Sequence, residues 1–292
     1  MKELGRVVLL MGGISSEREV SLMSGEGVYN ALVEKGVDVT KFDPKTDRLE
    51  TLEKGAFDRA FIALHGRLGE DGTIQGVLNY LNVPYTGPGV TASAMAIDKD
   101  LTKRVWKSVG IPVPQGVLLG ADATDDVLTE VIESLGATGL VVKPAHDGSS
   151  IGVTKLNTPT VETLRQALAE AATRDQAVLV EEYIRGREFT VAVLDGKALP
   201  IIEIRAPEGD YDFNNKYFGD AVSYDCPAKL NDAETASLSA TCEQGPDGSF
   251  VLLEINTSPG MTPHSLVPMA ARAVGMAYGD LCVKVLSLAE TD

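Results

Sequence analysis

Short apolar runs alternate with amphipathic stretches through the first hundred residues. Residues 6–11 (RVVLLM) are apolar and β-branched and stop at Gly12-Gly13, as a buried parallel strand does. Ser16-Glu17-Arg18-Glu19 fits a capping box with Ser16 at the N-cap and Glu19 three residues on. The spacing Val20, Met23, Val28, Leu32 predicts a helix that ends near Gly36. Strands are predicted at 37–42 and at 60–64, the latter ending at His65-Gly66. A helix follows at Thr73–Leu81 and a short strand at 83–85. This β-α-β rhythm predicts a small doubly wound parallel sheet with ligand groups at the C-terminal ends of its strands.

Beyond residue 97 the rhythm changes. A helix is predicted at 98–109, closed by Gly110 and the Pro112/Pro114 pair. Then come a strand at Gly116–Leu119, a helix at Asp125–Leu135 and a strand at Leu140–Pro144. A Gly/Ser loop at 146–150 leads to a strand at 151–155, a helix at Val161–Ala172 and a strand at 177–183. Two more strand patterns, 188–194 and 198–204, are joined by Asp195-Gly196, a strong hairpin signal. Residues 206–225 have no clean period and are rich in Gly, Asp and Tyr; an irregular stretch of that length is usually functional or disordered.

Composition narrows the classes. The 292 residues are 44% hydrophobic and 23% charged, ordinary for a globular protein, and suffice for one large domain or two to three small ones. A net charge of -16 disfavours nucleic acid as a partner. Cys226, Cys242 and Cys282 have no C-x-x-C spacing, so neither a disulfide framework nor a zinc site is expected. The N-terminal apolar run is too short to span a membrane. The expectation is a cytoplasmic protein without a membrane anchor.

Three stretches could carry chemistry. Neither Walker A nor G-x-G-x-x-G occurs, so a nucleotide would have to bind in another way. Lys143, at the end of a buried strand, precedes the small-residue loop Asp147-Gly148-Ser149-Ser150-Ile151-Gly152. That combination suits phosphate oxygens, and a plain hairpin with an exposed lysine fits equally well. Glu181, Glu182 and Tyr183, with Glu188 beyond, could form a slot for a flat base and its ribose; an edge strand with solvated acids is the commoner outcome. Glu254 and Asn256 lie two apart on a predicted strand, so both face one side, as hard oxygen ligands for Mg²⁺ would. A polar strand end is the alternative, and the apolar residues alternating with them favour the metal.

The string from Glu254 to Thr262 (EINTSPGMT), with His264-Ser265-Leu266-Val267-Pro268 after it, resembles a signature of D-alanine–D-alanine ligases of the ATP-grasp superfamily. So do His65-Gly66, Gly69-Glu70-Asp71-Gly72 and Gln75-Gly76, and Ser16 to Ser21 and Tyr85-Thr86-Gly87 also fit. The matches run nearly end to end and in order. The resemblance implies an α/β chain with an N-terminal doubly wound sheet domain (1–97), followed by a two-lobed ATP-grasp fold, its central lobe at 98–183 and its C-terminal lobe at 184–292. It implies Lys99 and Lys143 on the ATP phosphates, with the loop around Gly148 and Ser150 closing over them. Glu181, Glu182 and Tyr183 would hold adenine by their backbone, Glu188 the ribose, and Glu254 and Asn256 magnesium or manganese. Glu17 would anchor the ammonium of the first D-alanine, with Ser149 orienting Glu17 and His65 near the substrate carboxylate. Ser265 and Leu266 would take the second D-alanine. Lys216 and Tyr217 would sit on the closing loop, and the Gly260 N–H would stabilise the oxyanion. Glu17 also reads as a first-turn acid favoured by the helix dipole, and His65 as a satisfied polar strand end. A homodimer is compatible with the family.

The sequence departs from that family at one point. Before the Glu-x-Asn strand the family has a strand ending in Gly-Arg-x-Asp, whose arginine helps stabilise the oxyanion and whose aspartate binds magnesium. Here residues 235–242 run through Glu243-Gln244-Gly245-Pro246-Asp247-Gly248 with no such segment, too short for both a helix and a strand. The expected consequence is loss of a central strand of the C-terminal sheet and slow chemistry, Asp247 in its turn being a poor substitute. A naturally inactive variant, an engineered or truncated chain and an incomplete sequence all fit. The implied activity is ATP-dependent formation of D-alanyl-D-alanine for peptidoglycan. A ligase using D-lactate or D-serine as acceptor, and a non-catalytic protein that binds ATP or D-alanine, are the alternatives.

Overall fold

A computed structural model describes residues 4–206, 222–244 and 250–292. Strands β1 (Arg6–Leu10), β2 (Asp38–Phe42) and β3 (Arg59–Ile62) form a parallel sheet in the order β2-β1-β3. Helix α1 (Arg18–Glu34) makes the first crossover, and α2 (Thr73–Leu81) and α3 (Val90–Ile97) follow β3. The continuous apolar run of β1 has a simple cause: both its faces are covered. Val7, Leu9 and Met11 pack with Val28 and Leu32 of α1, while Val8 and Leu10 pack with Leu52, Ile74, Leu78 and Tyr85 on the other side.

The strand expected at 83–85 is reduced to single bridges of Tyr85 with Ala60 and with Glu290. The capping box does not form. The helix starts one residue later than expected, with Glu17 at the N-cap and no side chain capping it. Ser15 supports this entry instead: its Oγ accepts from the Glu17 N–H at 3.2 Å and donates to the His65 carbonyl at 2.7 Å.

Helix α4 (Lys99–Ser108), capped by the Asp98 side chain, leads into a second, antiparallel sheet. Its strands are β4 (Gly116–Leu119), β5 (Leu140–Pro144), β6 (Thr154–Leu156) and β7 (Val178–Glu182), in the order β4-β7-β5-β6. Helices α5 (Asp125–Leu135) and α6 (Val161–Ala172) cover one face and bury Leu128, Leu164 and Leu168 against Leu140, Val142, Val178 and Val180. The strand expected at 151–155 begins later, because residues 148–152 form a turn in which Ser149 and Ser150 both have left-handed backbone (φ 54 and 56).

The next strands are β8 (Glu188–Thr190), the hairpin pair β9 (Val193–Leu194) and β10 (Lys197–Ala198), β11 (Ile202–Arg205) and β12 (Ser223–Asp225). Asp195 and Gly196, both at positive φ (56 and 71), make the tight turn that their pairing in sequence predicts. Strands β12-β11-β8 form a third, three-stranded sheet, followed by α7 (Asp232–Gln244). The strand expected around Glu254 and Asn256 is not formed. Residues 250–256 run without a ladder, and Leu252 N–H reaches the Pro112 carbonyl at 2.9 Å. The apolar residues that alternate with Glu254 and Asn256, Leu253 and Ile255, are 41% and 51% exposed, and Val251 before them is 41% exposed.

The chain then returns to its beginning. Helices α8 (Leu266–Ala273) and α9 (Tyr278–Ser287) place Ala271, Leu281, Cys282 and Leu286 in one core with Val7, Leu9 and Val28. No single helix among the described residues is long and apolar enough to cross a membrane.

Candidate active site

A cleft of about 2110 Å³ runs between the three sheets, and every described residue singled out from the sequence lines it. Lys216, Tyr217 and Asp247 lie outside the described residues.

Glu17 sits at one end. Its position before α1 leaves its carboxylate free of the helix, and it accepts a hydrogen bond from the Ser149 hydroxyl across the gap to the central sheet. Two glycines make room: a Cβ on Gly66 would lie 2.5 Å, and one on Gly148 3.0 Å, from Glu17 oxygens. Glu17 is buried, and desolvation raises its pKa, opposed by the Ser149 hydrogen bond; Asp147 adds to the rise. Such a carboxylate favours an arriving cation. The left-handed Ser149 and Ser150 cost about 1 kcal/mol or more each, and the bond to Glu17 helps hold that geometry.

Lys99, at the start of α4, donates to the Asp147 carbonyl at 2.6 Å and lies 3.7 Å from Glu254 Oε2. It therefore joins the 147–150 turn to the Glu254–Asn256 segment. Glu254 and Asn256 are exposed to the cleft. Among the described residues no cluster of three acidic, His or Cys side chains could hold a metal by itself. Two oxygen donors still suit Mg²⁺, which commonly binds one or two protein groups and completes its shell with phosphates and water.

Deeper in, Lys143 of β5 and Glu181 of β7 meet at 2.6 Å because Val141 and Glu181 are ladder partners, which puts Lys143 diagonally across on the same face. Gly116, opposite Glu181 on β4, leaves the space; a Cβ there would lie 2.9 Å from Glu181 Cγ. Lys103 of α4, 6% exposed, pairs with the other Glu181 oxygen. Desolvation and the neighbouring Lys143 charge lower the Lys103 pKa to about 8. Sequence reasoning missed Lys103; its signal is a lysine one turn after Lys99, on the same side of an amphipathic helix. The backbone N–H groups of Glu182 and Tyr183 are engaged by the carbonyls of Gln115 (3.0 Å) and Gly139 (2.9 Å). Those two donors are thus already used within the protein. Glu188, on β8, lines the same part of the cleft.

Close to Glu17, on the far side of Gly66, the 258–261 turn packs on the N-terminal sheet. His65 Nδ1 lies 2.8 Å from the Ser258 carbonyl and Nε2 3.2 Å from Ser24 Oγ. A carbonyl can only accept, so Nδ1 carries the proton and Nε2 accepts from Ser24. Desolvation pushes the imidazole pKa down to about 4, so the ring is neutral at ordinary pH. Both ring nitrogens are thereby committed to the protein. Glu70 accepts from Gly66 N–H at 2.6 Å and from Ser258 N–H at 3.1 Å. Burial, then the Glu17 charge, pushes its pKa up to about 8. Gly260 lies against Ser265, whose Oγ accepts from Thr262 N–H at 3.0 Å; Ser265 occupies the N-cap position of α8, beside Leu266, without a side-chain cap bond.

A cleft between antiparallel sheets and a parallel sheet, lined by paired lysines and acids, is the arrangement of an ATP-grasp fold, and the matched ligase structures bear this out. The description "D-ala D-ala ligase N-terminus" matches residues 40–88, and "D-ala D-ala ligase C-terminus" matches residues 105–245 and, as a separate piece, 242–287. A D-alanine--D-alanine ligase of Bordetella avium is 49% identical over 98% of this chain and 95% of that protein. One from Acidovorax ebreus is 46% identical over 100% and 93%. A crystal structure of D-alanine--D-alanine ligase from Bacillus anthracis superimposes with a TM-score of 0.82 at 32% identity, covering 97% of this chain and 96% of that one. The same enzyme complexed with ATP gives 0.80. The chain belongs to the D-alanine–D-alanine ligase family.

The comparisons also locate the departure. The Acidovorax ebreus alignment spans 314 positions for a chain of 292 residues, so at least 22 positions are empty here. The family match breaks at 242–245, at the C-terminal end of α7 and shortly before the non-strand segment 250–256.

Proposed function

We propose that this chain joins two D-alanines to D-alanyl-D-alanine with ATP, using the cleft residues described above. The observation that carries the reading is Glu17: a buried, desolvated carboxylate bonded to Ser149, facing a turn that Lys99 ties to Glu254. Glu17 binds the ammonium of the first D-alanine and so turns its carboxylate toward the γ-phosphate. Lys99 and Lys143 neutralise the phosphates, which lets two anions meet. Glu254 and Asn256 would hold Mg²⁺, which supplies further charge neutralisation when bound. The carboxylate oxygen attacks phosphorus, giving an acyl phosphate and ADP. The second D-alanine, its own carboxylate at the α8 N-terminus beside Ser265 and Leu266, attacks the acyl carbon through its amine. The tetrahedral oxyanion is held by Gly260 N–H, and phosphate leaves. The 147–150 turn, with Gly148 and Ser150, excludes water from the acyl phosphate. Glu181 and Glu188 serve the adenine and ribose, and the domains divide at 97/98 and 183/184. D-Alanine and ATP are the substrates, and the chain acts in the cytoplasm, with a homodimer compatible with the family.

The absent segment makes the rate low. Loss of one oxyanion donor alone costs roughly two to three orders of magnitude. A second reading, a protein that binds ATP and D-alanine without turnover, is favoured by the absence of strand structure at 250–256. D-Alanine-dependent phosphate release from Mg·ATP, with Lys143→Ala as control, separates them. Turnover that vanishes in the control supports the ligase; ATP binding without turnover in the folded chain refutes it and leaves the binding protein.

A further inference from the structure

We infer that Ser24, His65, Glu70 and Tyr278 are positioning residues that brace the turn around Gly260 from both sides and fix the direction of its N–H. The inference rests on the reading of Gly260 as the oxyanion donor. Upstream of Gly260, both backbone groups of Ser258 are held by the N-terminal domain: its N–H by Glu70 at 3.1 Å and its carbonyl by His65 Nδ1 at 2.8 Å. Downstream, both backbone groups of Met261 are held as well: its N–H by Ser24 Oγ at 3.1 Å and its carbonyl by the Tyr278 hydroxyl at 2.5 Å.

The two sides are linked through one side chain. Ser24 Oγ accepts from Met261 N–H while donating to His65 Nε2, so its one proton is committed and the imidazole is held in one tautomer. Ser24 and His65 are 0% and 5% exposed, so no water competes for these bonds. Gly27, one turn of α1 beyond, gives Tyr278 its place: a Cβ there would lie 2.8 Å from the Tyr278 hydroxyl and 3.5 Å from the Met261 carbonyl. Four backbone groups flanking Pro259-Gly260 are thus fixed by four side chains from α1, the β3 end, the 66–72 turn and α9.

Residues 250–256 just upstream have no ladder among the described residues, so the hydrogen bonds that hold the turn there are those of this brace. An N–H held in advance toward the site of developing charge stabilises a transition state without reorganising at the moment of reaction. Displacement of a reacting geometry by roughly 1 Å costs about a hundredfold in rate.

The test uses the full chain carrying Ser24→Ala, Ser24→Thr or Tyr278→Phe. Amide hydrogen exchange is followed at residues 258–261. Affinities are measured by calorimetry for Mg·ATP, for D-alanine, and for a phosphinate analogue of D-alanyl-D-alanine whose tetrahedral P–O⁻ stands in for the oxyanion. Both Ser24→Ala and Tyr278→Phe are expected to speed exchange at Gly260 and Met261. They should weaken phosphinate binding about tenfold or more, with ATP and D-alanine affinities unchanged and Ser24→Thr restoring the wild-type values. Should Ser24→Ala fail to fold, Tyr278→Phe, which removes a single hydroxyl, carries the test. Faster exchange with undiminished phosphinate affinity overturns the brace, as does a parallel loss for all three ligands, which marks general loosening. A wild-type chain that binds the phosphinate no better than D-alanine overturns the oxyanion role of Gly260 itself, a separate failure visible before any variant is made.

Discussion

His65 and Glu70, neighbours in the same buried network, should give the fold two opposed pH dependences that single substitutions expose. The folded His65 ring resists protonation down to about pH 4, whereas the unfolded chain takes up that proton near 6.5. Stability from His65 is therefore full above 6.5 and lost as pH falls toward 4. Glu70 behaves oppositely. It keeps its proton up to about pH 8 in the folded state but releases it near 4.5 when unfolded, so its contribution is lost as pH rises from 4.5 to 8. Each full-proton difference is worth about 1.4 kcal/mol per pH unit. Between pH 4.5 and 6.5 the two slopes cancel in the wild type. His65→Asn keeps a donor for the Ser258 carbonyl but cannot titrate; it should gain about 1.4 kcal/mol per unit as pH falls through that window. Glu70→Gln should lose about the same, so the two variants diverge by roughly 2.7 kcal/mol per pH unit, and the double variant should run parallel to the wild type. Urea unfolding followed by the fluorescence of Trp106, the single tryptophan, reads this at pH 5, 5.5, 6 and 6.5. Parallel profiles for the two single variants refute the burial argument for both groups.

Three further outcomes are expected. Ser149→Ala removes the donor to Glu17 and should weaken D-alanine binding about tenfold at unchanged ATP affinity; equal loss for both ligands in calorimetry contradicts the assignment. Lys103→Met leaves Glu181 paired with Lys143 alone, so Lys143 is less available to phosphate. A stability loss of about 1–3 kcal/mol and a severalfold weaker ATP Kd are expected, and an unaltered Kd counts against the shared pair. Inserting the 22 or so residues that the relatives carry, between Gln244 and Phe250, should supply a ladder partner for 250–256. It should cover Val251, Leu253 and Ile255, raise stability by roughly 2–4 kcal/mol and raise turnover; a stable insertion variant with no gain in turnover dissociates the gap from the chemistry.

Local signals were legible where one stretch of chain suffices to decide them. Thr73–Leu81, Gly116–Leu119, Asp125–Leu135, Leu140–Pro144 and Val161–Ala172 form with the bounds their patterns predict, because each has its own period and punctuation. The Asp195-Gly196 turn is likewise local. The Ser16 capping box failed because two entries to α1 compete, and the one that forms leaves Glu17 free to reach Ser149, 132 residues away. The absence of a ladder at 250–256 could not be read from its alternation, since a strand needs a neighbour and alternation does not say whether one is present.

By itself the sequence determined the order of elements, the apolar faces and the residues that line the cleft, since these follow from periodicity, turn chemistry and side-chain type. Tertiary structure alone decided which of those residues share a partner. Ser24 is a polar residue on the buried Val20–Val28 face of α1, and in sequence it reads as a blemish in the apolar pattern. Its meaning comes from α8 and α9, which return from the far end of the chain to the first core and carry the 258–261 turn onto His65, Glu70 and Ser24. A periodic pattern says which side of a helix is buried; it does not say against what, because burial lowers the free energy of apolar surface without regard to where in the chain the covering residues lie.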